Sequence, residues 1–249
     1  MDNQELRKPR VRLIDEIRGA DVILMLIFHA YYDLVYIFGV RPPRGVAVFM
    51  AHLQPVIAMT FIVLAGISCR FSRDNRRRGI RVLCLGLALS AVTLFAIPSE
   101  AIYFGILHFM GAAMILFRLL GPLLDKPEPV PGFLTSLLLF LVLYNLPNGT
   151  VGFARLVTIP LPASWYAGHA LLPLGFGGMG SDYFPLLPWI FLFFAGSYLG
   201  VLIERGVFPT FVYRSVCPPL GWLGQKTLWV YMLHQPVIYG VLWLVFARQ

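Results

Sequence analysis

Long apolar runs, separated by short segments rich in arginine, proline and glycine, dominate this chain. A helix rises 1.5 Å per residue, so about 20 apolar residues cross a hydrocarbon core about 30 Å thick. Runs of that order cover residues 19–39, 46–69, 82–97, 101–120, 186–203 and 223–246. A seventh, residues 133–146, is shorter and reads as tilted or as starting in the headgroup region. The pattern predicts an all-α fold: a polytopic integral membrane helix bundle of about seven transmembrane helices, forming a single domain over residues 1–249. Residues 1–18 form a basic leader, in which RLIDEIRG makes an interfacial helical turn running into the first span. RFSRDNRRRGIR reads as a solvated loop, PSE as the tip of a tight helical hairpin, and LLDKPEPVPG as an extended connector. The stretch 147–184 mixes glycine, proline and aromatics with few charges. A connection of that length is expected to be a lid or binding element over an outward-facing cavity, or else an interfacial segment without a ligand.

Composition sharpens the membrane reading. The 249 residues are 58% hydrophobic and 13% charged, with mean hydropathy +0.75, against about 25% charged in a soluble domain. Most of the Lys and Arg fall on alternate connections, including Arg70 to Arg81, Arg118, Lys126, Arg205 and Lys226; Arg41, Arg44, Arg155 and Arg248 fall on the others. The positive-inside rule then predicts a cytoplasmic N-terminus and an external C-terminus across seven spans. Net charge is +8. Its position beside the spans points to topology and membrane lipid headgroups, and no nucleic-acid partner is expected. The first run is too long for a signal-peptide core and reads as a retained anchor. Cys69, Cys84 and Cys217 have no metal-ligand spacing and form no disulfide framework.

Chemistry is expected where polar groups enter these runs, because such residues are costly in hydrocarbon and usually face a protein interior or a wet cavity. Arg18 and His29 lie eleven positions apart on the first span, on one face and about 16 Å apart along the axis. Asp33 follows His29 at i, i+4, a spacing that lets a carboxylate orient an imidazole as a general base, or lets both serve as a structural polar pair. Asp21, three residues after Arg18, is expected to form an ion pair with it at the inner interface. His108 in FGILHFMG and His234 in LWVYMLHQPVIYG sit inside two further spans, either converging on one cavity or each hydrogen-bonded alone. His52 and His169 lie nearer the outer surface. Asp182 in SDYFPLLPW caps the helix that follows or holds an acceptor's amine or hydroxyl; Tyr183 beside it adds a phenol and an interface ring. No metal site is expected, since no His-x-x-x-His or Glu-x-x-His spacing occurs within a span.

RLIDEIRGADVILMLIFHAYYDL, FIVLAGISCRFSR, YFGILHFMG, DYFPLLPWIFLFFAGSYLG and LGQKTLWVYMLHQPVIY, in that order, resemble the bacterial members of the heparan-α-glucosaminide N-acetyltransferase-like membrane acyltransferases. That group looks similar to the acyltransferase-3 membrane enzymes, where an Arg-x10-His pattern on the first helix accompanies acyl-CoA use; Arg18 and His29 match it here. The resemblance implies transfer of an acyl group, with acetyl-CoA as co-substrate, to a small-molecule sugar or glycolipid acceptor outside the bacterial cytoplasmic membrane. Combined with the residue reading, it makes Arg18, Lys226, Arg78 and Arg81 the expected ligands of CoA phosphates. His29 with Asp33 becomes the expected base, and His108 or His234 the expected oxyanion donor. A homo-oligomer is compatible with this reading. A transporter or lipid translocator using the same buried polar residues is the competing class.

Overall fold

The computed structural model describes residues 11–153, 157–168, 170–178 and 182–246. The leader residues 1–10, Arg155, His169 and Arg248 lie outside the described residues. Eight helices follow in chain order among the described residues: α1 (Arg12–Tyr32), α2 (Arg44–Arg70), α3 (Asn75–Ala96), α4 (Ile106–Leu124), α5 (Pro129–Leu143), α6 (Leu186–Glu204), α7 (Pro218–Gln225) and α8 (Thr227–Phe246). Among the described residues seven helical stretches are long and apolar enough to cross a membrane, and the chain is an integral membrane protein of the all-α class expected.

Several boundaries move. The first helix begins at Arg12, and a π-helical turn, Asp33–Ile37, prolongs it to a span of 26 residues. Only the start of the basic loop is a loop. The Asp74 carboxylate accepts the Arg77 N–H at 2.9 Å and starts α3 at Asn75, so Arg76, Arg77, Arg78 and Arg81 ride on the first turns of a helix. Helix α4 starts at Ile106, later than expected, because residues 101–105 stay irregular. The short seventh run belongs to a span of 20 residues. Pro129 occupies the first turn of α5, where its missing N–H costs nothing, and a 3-10 turn, Leu146–Asn148, extends it. The last span is broken at Lys226, which separates the eight-residue α7 from α8.

The chain forms two compact units, one of residues 1–64 and 208–249 and the other of residues 65–207, with the boundary inside α2. In the first unit α7 lies directly on α1. A Cβ at Gly19 would overlap the Leu220 carbonyl, and one at Gly224 would overlap the Asp15 carbonyl, so only glycine lets the two backbones come this close. Glu16 locks the approach to α7 by accepting from the Ser215 hydroxyl and from the Val216 N–H at 3.0 and 3.1 Å. Helix α8 exposes Trp229, Leu233, Val237, Val241 and Trp243, as a lipid-facing helix does.

In the second unit α3 packs on α4 and α5 on α6. Glycine again sets the α3–α4 spacing, since a Cβ at Gly111 would press on the Leu83 backbone and the Gly79 carbonyl. Phe109, Ala113, Phe193 and Ser197 are fully buried between α4 and α6. The described part of 147–184 carries a two-stranded antiparallel ladder, Thr150–Val151 with Ile159–Pro160, and short 3-10 turns. The Tyr166 hydroxyl, donating to the Leu146 carbonyl at 2.6 Å, ties it to the end of the preceding span, and Phe176 packs against Trp165 and Tyr166 within it.

Candidate active site

The first unit brings four polar side chains together inside the apolar reach of α1 and α8. His29 on α1 and His234 on α8 meet edge to face, with ring centroids 4.6 Å apart and planes at 64°. Asp33, one turn beyond His29 where the helix widens into its π turn, is fully buried and accepts from the Gln235 amide at 3.0 Å. The i, i+4 spacing therefore does not pair His29 with Asp33. His29 rests against Phe28 and His234, while the carboxylate is held by the amide that follows His234 in sequence.

The hydrogen bonds assign protons. His234 Nδ1 lies 2.5 Å from the Tyr231 carbonyl, and a carbonyl only accepts, so Nδ1 carries the proton and Nε2 the lone pair. That Nε2 is buried and has no hydrogen-bond partner among the described residues; neither has Gln235 Oε1 beside it. Orphaned buried polar atoms are rare and cost about 1–3 kcal/mol each when a partner is lost. Pro236 follows within α8 and cannot donate to the Met232 carbonyl, a local weakening of the helix at the site. The cluster thus offers a nitrogen lone pair, a half-buried second imidazole and a carboxylate–amide pair at the contact of two apolar helices.

Toward the N-terminal end of α1 lies a cavity of about 380 Å³ lined by Arg12, Asp15, Glu16, Ser215, Trp222 and Gln225, among others. Its acids are engaged: Asp15 with Arg18 at 2.9 Å, Glu16 with Ser215 and Val216. Arg18 thus pairs with Asp15 rather than with Asp21, which is buried on the following turn. Lys226 sits exposed at the α7–α8 break. Arg78 and Arg81 belong to the second unit, exposed on α3.

The second unit holds the remaining candidates in a separate network. The Gly105 N–H donates to His108 Nδ1 at 3.2 Å, which leaves the ring proton on Nε2, 3.3 Å from Ser90 Oγ. Ser90 in turn donates to the Ile102 carbonyl. With both nitrogens engaged in closing the start of α4, His108 is a capping residue, and the oxyanion-donor role is not what its hydrogen bonds serve. Asp182 belongs to the same helix start. Its carboxylate oxygens lie 3.4 Å from the Ile106 N–H, against Gly105, so it caps α4, 76 residues away, rather than the helix that follows it in sequence. The Tyr183 hydroxyl donates to the Leu172 carbonyl at 2.6 Å. Burial, with a smaller contribution from the Tyr166 phenol, pushes its pKa up to about 12, so it stays protonated and serves the packing of the outer segment.

Gln235 is a member of the cluster that the sequence did not single out. The available signal was an amide inside an apolar span, in HQP, a residue type that in lipid needs a partner. Comparison with curated proteins and with solved structures returns no significant match. The family description "Heparan-alpha-glucosaminide N-acetyltransferase, catalytic" matches residues 10–236, a range that includes His29, Asp33 and His234 with Gln235 as its next-to-last position. By that match the chain belongs to the heparan-alpha-glucosaminide N-acetyltransferase catalytic family of membrane acetyltransferases.

Proposed function

We propose that this protein moves an acetyl group from cytoplasmic acetyl-CoA to a hydroxyl or amine of a sugar or glycolipid acceptor on the outer side of a bacterial cytoplasmic membrane. The observation that carries the reading is the His29–His234 pair beside Asp33 and Gln235, a titratable constellation inside two apolar helices. Acetyl-CoA supplies an activated thioester when bound. His29, the half-buried imidazole of the pair, takes the proton from the acceptor as its oxygen or nitrogen attacks, and returns that proton to the departing thiolate. His234 is held by Tyr231 with its proton on Nδ1, which presents Nε2 to the same space. Asp33 and Gln235 fix the carboxylate that balances the charge developing on the imidazoles.

The residues at the N-terminal end of α1 suit a nucleotide head. Arg12 and Lys226 offer cations for phosphate, and the Trp222 indole offers a face for adenine. Arg18 neutralises Asp15, and Arg12 on the same cavity lining offsets the charge of Glu16, which the Ser215 hydroxyl and the Val216 N–H hold in place. Arg78 and Arg81 add positive charge for cytoplasmic lipid headgroups.

The test is CoA-thiol release from acetyl-CoA by the purified protein in the presence of a panel of amino sugars. His29→Ala and His234→Ala are each expected to lower it by about 10²- to 10⁴-fold, with elution as a monodisperse species unchanged. Undiminished turnover in His29→Ala sinks the assignment. Movement of a sugar across vesicles without CoA release assigns the same residues to a transporter.

A further inference from the structure

We infer a second binding site, for a phosphate group, in the second unit where the ends of α2, α4 and α6 meet around Arg70. The Arg70 guanidinium is wedged in place. It lies 5.0 Å from the Phe117 ring centroid and 6.0 Å from that of Tyr198, and its Nε donates to the Ser197 carbonyl at 3.2 Å. Nη1 pairs with Asp125. Nη2 is buried and has no hydrogen-bond partner among the described residues. A cationic donor buried without an acceptor is expensive, and the missing partner is an acceptor by chemistry.

Arg70 lines a cavity of about 260 Å³ together with Tyr198, Asp125, Glu204 and Arg205. Its size, just under the roughly 300–1,000 Å³ of small-molecule pockets, suits a single headgroup rather than a whole cofactor. The lining charges balance on paper but not in mobility. The Arg70 side chain is 11% exposed and held by two rings and the Ser197 carbonyl, whereas its partner Asp125 is 61% exposed at the C-terminus of α4. Arg205 is 52% exposed and pairs at 2.9 Å with Glu128, itself 73% exposed, and Glu204 is exposed as well. Exposed pairs of this kind are worth about 0–1 kcal/mol, so the acids can swing out while the buried cation stays. Asp125 takes one arm of the guanidinium fork. A phosphate, with three oxygens, takes both arms and reaches Arg205 as well, which is the bidentate geometry that favours arginine over lysine. Asp125 is therefore a displaceable latch occupying the anion's place. The positive-inside rule puts this end of the unit at the cytoplasmic surface, where the phosphate belongs either to an anionic lipid or to a soluble phosphate ester. The site stands apart from the acyl-transfer reading and does not depend on it.

The experiment uses the full chain in an uncharged detergent with two probes, a short-chain phosphatidic acid and glycerol 3-phosphate, read by native mass spectrometry and by titration calorimetry. Asp125→Asn keeps the shape and removes the competing charge, so it is expected to tighten phosphate binding by about threefold or more; Arg205→Gln loosens it by a similar factor, and Arg70→Gln by about tenfold or more. Binding that responds to these substitutions and is seen with the lipid alone assigns the site to a headgroup, and with glycerol 3-phosphate alone to a soluble ester; both support the site. If Arg70→Gln does not fold, the two surface variants decide. Binding of neither probe, or an Asp125→Asn protein that binds no tighter than the parent, overturns the inference.

Discussion

At the scale of single residues, the site depends on which side chains exchange partners. Asp33 and Gln235 come from helices 202 positions apart in sequence, and the amide N–H that Gln235 gives the carboxylate is the kind of bond whose loss leaves a buried charge underserved. Gln235→Leu is expected to cost about 1–3 kcal/mol of stability, seen as a lower Tm in detergent, and to reduce CoA release alongside. A Tm equal to the parent's would show that the amide contributes nothing there. His108 illustrates the converse. The same residue type, equally deep in an apolar helix, has both nitrogens engaged at the start of α4 and is spent on structure.

At the scale of elements, glycine decides where helices meet. Helix α7 has eight residues, too few to be stable alone, and it is held against α1 by the Gly19 and Gly224 contacts and by Glu16 clamping Ser215 and Val216. Gly224→Leu drives a side chain into the Asp15 carbonyl and is expected to cost about 1–3 kcal/mol, with faster amide hydrogen exchange across α7. Gly121 in α4 has open space where a Cβ would go. Gly121→Ala is therefore expected to raise stability by up to about 1 kcal/mol through helix propensity alone. Equal effects of the two substitutions would rule out close packing as the reason for glycine in α7.

At the scale of the whole molecule, seven apolar helical stretches and the placement of arginines make one topological prediction. With an odd number of spans and the basic connections inside, the N-terminus is expected in the cytoplasm and the C-terminus outside it. A reporter active only outside the cytoplasm is expected to be active when fused after Gln249 and silent when fused before Met1. Activity at both ends, or at neither, excludes seven spans.

The existence and number of the spans were legible because lipid imposes a single demand, about 20 apolar residues with every backbone group satisfied, and that demand is written locally in the chain. That His29, Asp33 and His234 are polar positions inside apolar helices was legible for the same reason, since polar groups stand out against hydrocarbon. Helix starts were not. Asp74 begins α3 inside a segment that reads as loop, and Pro129 opens α5 inside one that reads as linker, because a cap acts through one hydrogen bond or one missing donor. Partnership was hidden altogether. That Asp33 takes Gln235, that His29 meets His234, that Asp182 caps a helix 76 residues before it and that Arg70 lies against two rings are facts of three-dimensional proximity. Sequence by itself determined what must be buried in lipid and which residues are costly there. Tertiary structure alone decided which costly residue answers which, because a hydrogen bond depends on atoms brought within about 3 Å and hydrophobic periodicity carries no such distance.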